Sequence, residues 1–88
     1  MKREAEFFGE AELEVVHVAR RLKDALAVET ALSAAGLDYL VSAERYAARF
    51  LLVFPTERAG AFFYVPTPDA ARARDLLRGK GFMVVEVE

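Results

Sequence analysis

The chain has 88 residues, a net charge of −2 and no cysteine, and 55% of its residues are hydrophobic. This length accommodates one small domain, and the hydrophobic fraction excludes an intrinsically disordered chain. The small negative charge disfavours binding to nucleic acid or to an anionic membrane. No apolar run could span a bilayer, and the N-terminus lacks the apolar stretch of a signal peptide, so we expect a cytoplasmic protein with no membrane partner.

The first twelve residues are acidic and predict an N-terminal extension that docks locally or forms a short helix, ahead of a single domain over residues 13–88. Residues 13–19 are rich in β-branched side chains and predict a strand. The apolar period then changes to that of a helix that ends at Gly36. Its predicted buried face consists of Leu22, Ala25, Leu26, Val28, Leu32 and Ala35.

The second half of the chain reads as strands followed by a helix and a last strand. Residues 37–43 alternate as a strand does, whereas residues 44–49 fit either a turn of helix or a bulged continuation. Residues 50–54 predict a short apolar strand, residues 55–60 a hairpin loop and residues 61–65 the next strand. Thr67, Pro68 and Asp69 predict the N-cap and first turn of a helix that runs to about Arg78, and residues 82–87 predict a last strand.

This order of elements predicts the fold class. Two helices that each join strands, separated by a hairpin, are typical of the α+β ferredoxin-like split β-α-β sandwich. Right-handed crossovers would place both helices on one face of a mostly antiparallel sheet. The opposite face, which we call the open face, would then be left to water, a ligand or a partner.

The strands supply an excess of apolar side chains for that open face. Phe63 and Val65 are predicted to point at the helices, which turns Phe62 and Tyr64 outward because side chains alternate along a strand. The outward set of residues 50–54 is either Phe50, Leu52 and Phe54 or Leu51 and Val53. Several outward apolar residues are typical of an interaction surface. Alternatively, the N-terminal segment with Phe7 and Phe8 folds over them and completes a monomeric core.

His17 is the one histidine of the chain. If Val16 and Val18 face the helices, His17 lies on the open face near Phe62 and Tyr64, where it could contact a ligand or respond to pH. The alternative is a half-buried strand histidine with a backbone hydrogen-bond partner.

The residues that carry most catalytic and metal chemistry are missing. One histidine and no cysteine exclude the common zinc sites and the Cys–His and Ser–His nucleophile arrangements. Arg72, Arg74 and Arg78 read as a solvated helix face partly paired with Asp69 and Asp75. We therefore expect binding rather than catalysis, without a metal or another cofactor.

Residues 58–65 invite comparison with the RNA-recognition motif, which shares the split β-α-β fold and carries a basic residue and alternating aromatics on this strand. Here Gly60 and Val65 occupy positions where that motif has aromatic residues. Together with the acidic net charge, this mismatch disfavours RNA binding.

Two stretches resemble a small bacterial domain family labelled prokaryotic signal-transducing protein, whose function is not established. The first is the Leu-Ser-Ala-Ala-Gly-Leu step of residues 32–37, and the second is the Val-Pro-Thr-Pro-Asp-Ala-Ala-Arg-Ala-Arg-Asp-Leu-Leu stretch of residues 65–77. The similarity spans roughly residues 13–80 and departs at Leu26, where an acidic residue is common in the family, and in the apolar residues 50–54. The resemblance implies a ferredoxin-like fold and supplies no site residues.

The sequence thus predicts a small regulatory or binding module that acts through its open face, as a homodimer or with a partner protein. The residues expected to carry the contact are Phe50, Leu52, Phe54, Phe62, Tyr64 and His17. A second hypothesis is a small-molecule sensor of the amino-acid-binding regulatory type, with its ligand at the strand–helix loops or at a dimer seam. The absence of Asn and Gln and the many charges suit a thermophilic source, although a GC-rich genome explains this composition equally well.

Overall fold

The computed structural model describes the backbone of residues 1–50 and 54–86, and the side chains of residues 1–44 and 60–86. Within these ranges the elements follow one another as α1 (Ala5–Phe8), β1 (Leu13–Ala19), α2 (Leu22–Ala34), β2 (Leu40–Phe50), β3 (Phe54–Pro66) and α3 (Thr67–Gly79). The strands form an antiparallel sheet in the order β1-β3-β2, which confirms the α+β class. No helix in this described part is long and apolar enough to cross a membrane.

The core lies between one face of the sheet and the two long helices. Phe63 and Val65 of β3 share one buried cluster with Leu32 of α2 and Leu77 of α3, so both helices pack against the same face. Its remaining members are Val16, Ala19, Ala25, Val28, Ala31, Leu37, Tyr39, Ala70 and Ala73. Such a cluster provides most of the driving force for folding in a chain of this size.

The buried face of α2 differs from the prediction. Leu22 and Leu26 were expected to face the core, but their side chains are 75% and 53% exposed. Ala25, Val28 and Leu32 are buried as predicted, and Ala31, which was not in the predicted set, is buried beside them.

Both long helices end in the same hydrogen-bonded turn. After α2 the Gly36 N–H donates to the Ser33 carbonyl and the Leu37 N–H donates to the Leu32 carbonyl, and Gly81 and Phe82 repeat the pattern after α3. The φ angles of Gly36 and Gly81 are +74° and +87°, in the left-handed region where glycine avoids the steric cost of a Cβ atom. The predicted stop at Gly36 is confirmed.

The start of α3 is shifted by one residue from the prediction. Pro66 is the N-cap, and Thr67 is the first helical residue rather than the cap. The Thr67 N–H donates to the Glu12 carbonyl at 3.0 Å, which ties the helix start to the segment before β1. This tertiary bond replaces the side-chain cap that the local sequence suggested.

The hairpin between β2 and β3 is longer than predicted. Residues 44–49 continue β2 without a bulge, and residues 55–60, predicted as a loop, belong to β3. Residues 50 and 54 end one strand and begin the next instead of sharing a strand, and Leu51, Leu52 and Val53 lie outside the described residues. Pro55 is accommodated because it stands next to the strand start, where no third strand requires its missing N–H.

The predicted last strand is not formed over residues 82–86, which we call the C-terminal segment. The segment lies beside β1 and makes one backbone hydrogen bond to it, from the Val85 N–H to the Val16 carbonyl at 2.8 Å. Residue 87 lies outside the described residues. β1 is therefore an edge strand of the sheet.

The N-terminal segment connects the two edges of the sheet. Lys2 pairs with Tyr39 beside β2, where the Arg3 N–H donates to the Tyr39 carbonyl at 2.8 Å. The Arg3 guanidinium also donates to Asp38 at 2.9 Å, and this contact holds the pKa of the Asp38 carboxyl below its ordinary value. The chain then forms α1 and reaches β1 at the opposite edge, so residues 4–12 cross the sheet at this end.

Candidate functional site

The open face is mostly apolar in its described part. Residues opposite each other in an antiparallel pair share a face, and the registers place Val15, Tyr64 and Leu40 in one row across the sheet and Val18, Phe62 and Ser42 in the next. All six are half-buried, whereas Phe63 and Val65 on the helix side are fully buried. The predicted phase of β3 is therefore confirmed.

Two contacts organise the aromatic side chains of the open face. The rings of Phe62 and Tyr64 stack with centroids 6.4 Å apart. The Tyr64 hydroxyl donates to the Glu44 carboxylate at 2.7 Å, and this hydrogen bond is the main reason that the pKa of Tyr64 rises to about 12. Because Glu44 is engaged in this way, the described part of the face presents no unpaired carboxylate next to its aromatic pair.

The predicted residues at the far end of the hairpin are placed only in part. Phe50 and Phe54 face each other in the register and have the same parity along their strands as Phe62 and Tyr64. Leu52 lies outside the described residues. Whether these positions and the open face form an interaction surface remains a prediction.

The two phenylalanines of the N-terminal segment, the alternative cover of the open face, differ in burial. Phe8 is buried although it does not belong to the core cluster between sheet and helices, whereas Phe7 is 54% exposed beneath the Arg3 guanidinium. The Phe7 and Phe8 rings meet edge to face at 5.2 Å. One phenylalanine of the pair is therefore available at the surface.

The predicted position of His17 on the open face is wrong. The β1–β3 register shifts between Val15 and His17, so Val16 is an extra residue and His17 pairs with Phe63 on the helix side. The same bulge turns Val18, which was expected to face the helices, toward Phe62. The bulge reverses every later side chain of β1, which a regular alternation cannot anticipate.

His17 is instead a buried histidine with one backbone partner, as the alternative interpretation held. It is 6% exposed, and its Nδ1 lies 2.6 Å from the Met83 carbonyl oxygen. Because a carbonyl oxygen only accepts hydrogen bonds, Nδ1 carries the proton of this contact. Nε2 is buried and has no hydrogen-bond partner among the described residues. The ring stands between Phe63 and Phe82, with centroid distances of 6.0 Å and 5.8 Å.

A cavity of about 810 Å³ opens beside this histidine. Its walls are the end of β1, Phe62 of β3, the first turn of α2 and the C-terminal segment. It exists because the C-terminal segment touches β1 through one backbone bond rather than along a ladder. This cavity could not be predicted from the sequence, because residues 82–87 read as a regular strand.

Arg74 is a second residue whose role the sequence did not reveal. The sequence predicted Arg74 as part of a solvated arginine face, but its side chain is only 11% exposed. Its guanidinium donates to the Glu14 carboxylate at 3.0 Å, to the Val15 carbonyl at 3.0 Å and to the Val85 carbonyl at 2.7 Å. Arg74 therefore joins α3, β1 and the C-terminal segment.

The other two arginines of the predicted face are exposed, and each has a defined partner. Arg72 donates to the Ala35 carbonyl at 2.8 Å, and Arg78 pairs with Asp75 at 3.3 Å and with Glu86. Among residues 1–44 and 60–86, whose side chains are described, no three His, Asp or Glu residues come together as metal ligands.

No protein-family model matches the chain, and neither a curated protein nor a solved structure matches it. The resemblance of residues 13–80 to the prokaryotic signal-transducing family therefore stays a prediction.

Proposed function

We propose that the chain is a self-associating binding module in which two copies pair through their hairpins and open faces. The observation that carries this proposal is the arm, which we define as residues 44–50 and 54–60. β1 pairs with β3 only over residues 61–66, so the arm is a two-stranded ribbon. A two-stranded hairpin is marginally stable in water and requires a third strand or a packing partner.

The sequence of the arm supports the same proposal. Between its two strands the sequence has the five consecutive apolar residues Phe-Leu-Leu-Val-Phe at positions 50–54. A run of this kind favours burial against another surface, because each large apolar side chain left in water forgoes roughly 1.5–3 kcal/mol.

A second copy of the chain is the occupant that fits best. The open face offers Val15, Val18, Phe62 and Tyr64, and the nearby Glu44 carboxylate already accepts a hydrogen bond. Two arms related by a two-fold axis could each cover the partner's face, as closed dimers commonly arrange. With a net charge of only −2, repulsion between the copies is weak.

We also propose that the fold is ferredoxin-like. The strand order β1-β3-β2, the helix between β1 and β2 and the helix after β3 agree with that topology. The C-terminal segment lies beside β1, where that topology has its fourth strand, and its single backbone bond is the point of departure.

Light scattering of the full-length chain after size exclusion tests the dimer. We expect a dimer for the wild type, and monomers for Phe54→Glu and Phe62→Glu, because each places a carboxylate in the apolar contact. Leu26→Glu is the matched control, since Leu26 is an exposed apolar residue on α2, away from the sheet. Circular dichroism establishes that each variant is folded.

A wild type that remains monomeric at the highest soluble concentration would contradict the proposal. So would a Phe54→Glu variant that is as dimeric as Leu26→Glu. A monomeric wild type would shift the interpretation of the open face toward a different protein partner.

A further inference from the structure

The cavity beside β1 is continuous with the open face. Val18 and Phe62, which stand in one row of the open face, also belong to the lining of the cavity. The C-terminal segment adds the apolar residues Phe82, Met83 and Val84 to this lining. A surface that binds a second copy through Val18 and Phe62 therefore continues into the cavity.

The cavity is large enough to take up part of another polypeptide chain. Its volume is about 810 Å³, whereas a cavity of roughly 150 Å³ already holds a benzene ring. Met83 in its lining is 85% exposed, and Phe82 and Val84 are half-buried. An apolar segment that docks here would remove these side chains from water, which is favourable in proportion to the area covered.

The arm carries an apolar segment away from the cavity of its own chain. Its register pairs run from Glu44 and Gly60 at the base to Phe50 and Phe54 at the far end. The six residue steps between these pairs, at about 3.3 Å each, give an arm of about 20 Å. The cavity lies at the base, because Phe62 follows Gly60 by two residues in β3.

Two-fold symmetry brings the far end of one arm to the cavity of the other copy. When two equal arms lie side by side in opposite directions, each far end stands beside the base of the other arm. That base adjoins Phe62 and hence the cavity. Phe50 and Phe54 have the same strand parity as Phe62, so a contact between the two arms on this face extends to Val18 and Phe62.

We propose that the cavity beside β1 is the docking site for the connecting segment, residues 50–54, of a second copy. This docking rests on the dimer proposed above and specifies its contact, since the two copies exchange their connecting segments. Val18, Phe62 and Met83 of one copy cover the apolar run of the other. The exchange buries the run and the cavity lining in one contact, and it gives each two-stranded arm the packing partner that it requires.

Disulfide cross-linking tests this contact, because the chain contains no cysteine. Full-length Phe54→Cys and Met83→Cys proteins are mixed, oxidised mildly and separated by non-reducing electrophoresis, and mass spectrometry identifies the products. A covalent dimer that contains one chain of each variant can form only between copies. We expect this mixed dimer to be the main product, because a disulfide requires two Cα atoms within about 7 Å.

Leu26→Cys in place of Met83→Cys is the matched control for the cross-link. Leu26 is also an exposed apolar residue, but it lies on α2 outside the cavity lining. We expect the mixed dimer to fall to the background of random oxidation in this control.

Met83→Glu measures the same contact without a cross-link. Because the Met83 side chain is 85% exposed in the single copy, its replacement should leave the fold intact. A carboxylate within the apolar contact should raise the Kd of the dimer at least about tenfold, as measured by light scattering over a concentration series. Leu26→Glu should leave the Kd unchanged.

The failure of the docking and the failure of the dimer give different results. A dimeric wild type whose mixed disulfide is no more abundant than in the Leu26→Cys control would overturn the docking and leave the dimer standing. A Met83→Glu dimer as tight as the wild type would do the same. A wild type that is monomeric in light scattering would overturn both.

Discussion

Replacing Arg74 by methionine tests whether one buried guanidinium holds α3, β1 and the C-terminal segment together. Methionine preserves most of the apolar stem but removes three charge-assisted hydrogen bonds, to Glu14, Val15 and Val85. Hydrogen bonds to charged groups each contribute about 1.5–3 kcal/mol, and bonds that share one donor group are not additive. We therefore expect a loss of about 2–4 kcal/mol in the free energy of unfolding.

Arg78→Met is the matched control because it removes the same side chain one helical turn later. The Arg78 side chain is 45% exposed, and its ion pairs with Asp75 and Glu86 lie at the surface. Exposed pairs contribute at most about 1 kcal/mol.

Urea unfolding monitored by circular dichroism measures both losses, and thermal melts should show a drop of roughly 10–30 °C for Arg74→Met. Equal losses in the two variants would refute the reasoning that burial, rather than the number of ion pairs, sets the value of these arginines.

Two further predictions concern the open face and the helix ends. The raised pKa of Tyr64 means that its hydroxyl contributes to stability below pH 10 and that this contribution is lost as the pH rises from 10 toward about 12. Glu44→Gln should lower this pKa, and ultraviolet titration of the tyrosines should show that one step moves down relative to the wild type; an unchanged titration curve would mean that Glu44 is not the cause. Gly36→Ala should cost about 1 kcal/mol because φ is +74°, whereas Gly79→Ala, inside the last turn of α3, should stabilise by about 0.5–1 kcal/mol. Thermal melts compare these two variants, and losses of equal size would contradict the assigned backbone conformations.

Local signals in the sequence were sufficient for the elements that tertiary contacts do not alter. The β-branched run of residues 13–19 coincides with β1, and Gly36 ends α2 because its own backbone conformation requires glycine. The alternation in β3 correctly separated Phe63 and Val65 from Phe62 and Tyr64, since the helices cover one side of this end of the strand. In each case the deciding interaction lies within a few residues of the signal.

The errors arose where a distant contact competes with the local signal. Pro55 and Gly60 bracket a segment that reads as a loop, yet pairing with β2 extends β3 through both positions. Residues 82–86 have the composition of a strand. The Arg74 side chain, however, donates to the Val85 carbonyl and the His17 side chain to the Met83 carbonyl, and the segment makes one backbone hydrogen bond to β1. Neither outcome can be read from a single stretch of sequence.

The bulge at Val16 decides which side chains of β1 reach the open face. In a regular β1, His17 would stand on the open face beside Phe62 and Tyr64, and its ring would interrupt an otherwise apolar surface. The extra residue turns His17 to the helix side and brings Val18 into the row of Phe62. The open face thereby gains a valine, and the helix side gains a buried histidine whose Nε2 lacks a partner among the described residues. A single backbone irregularity thus keeps a polar ring away from the open face and makes that face suited to an apolar contact.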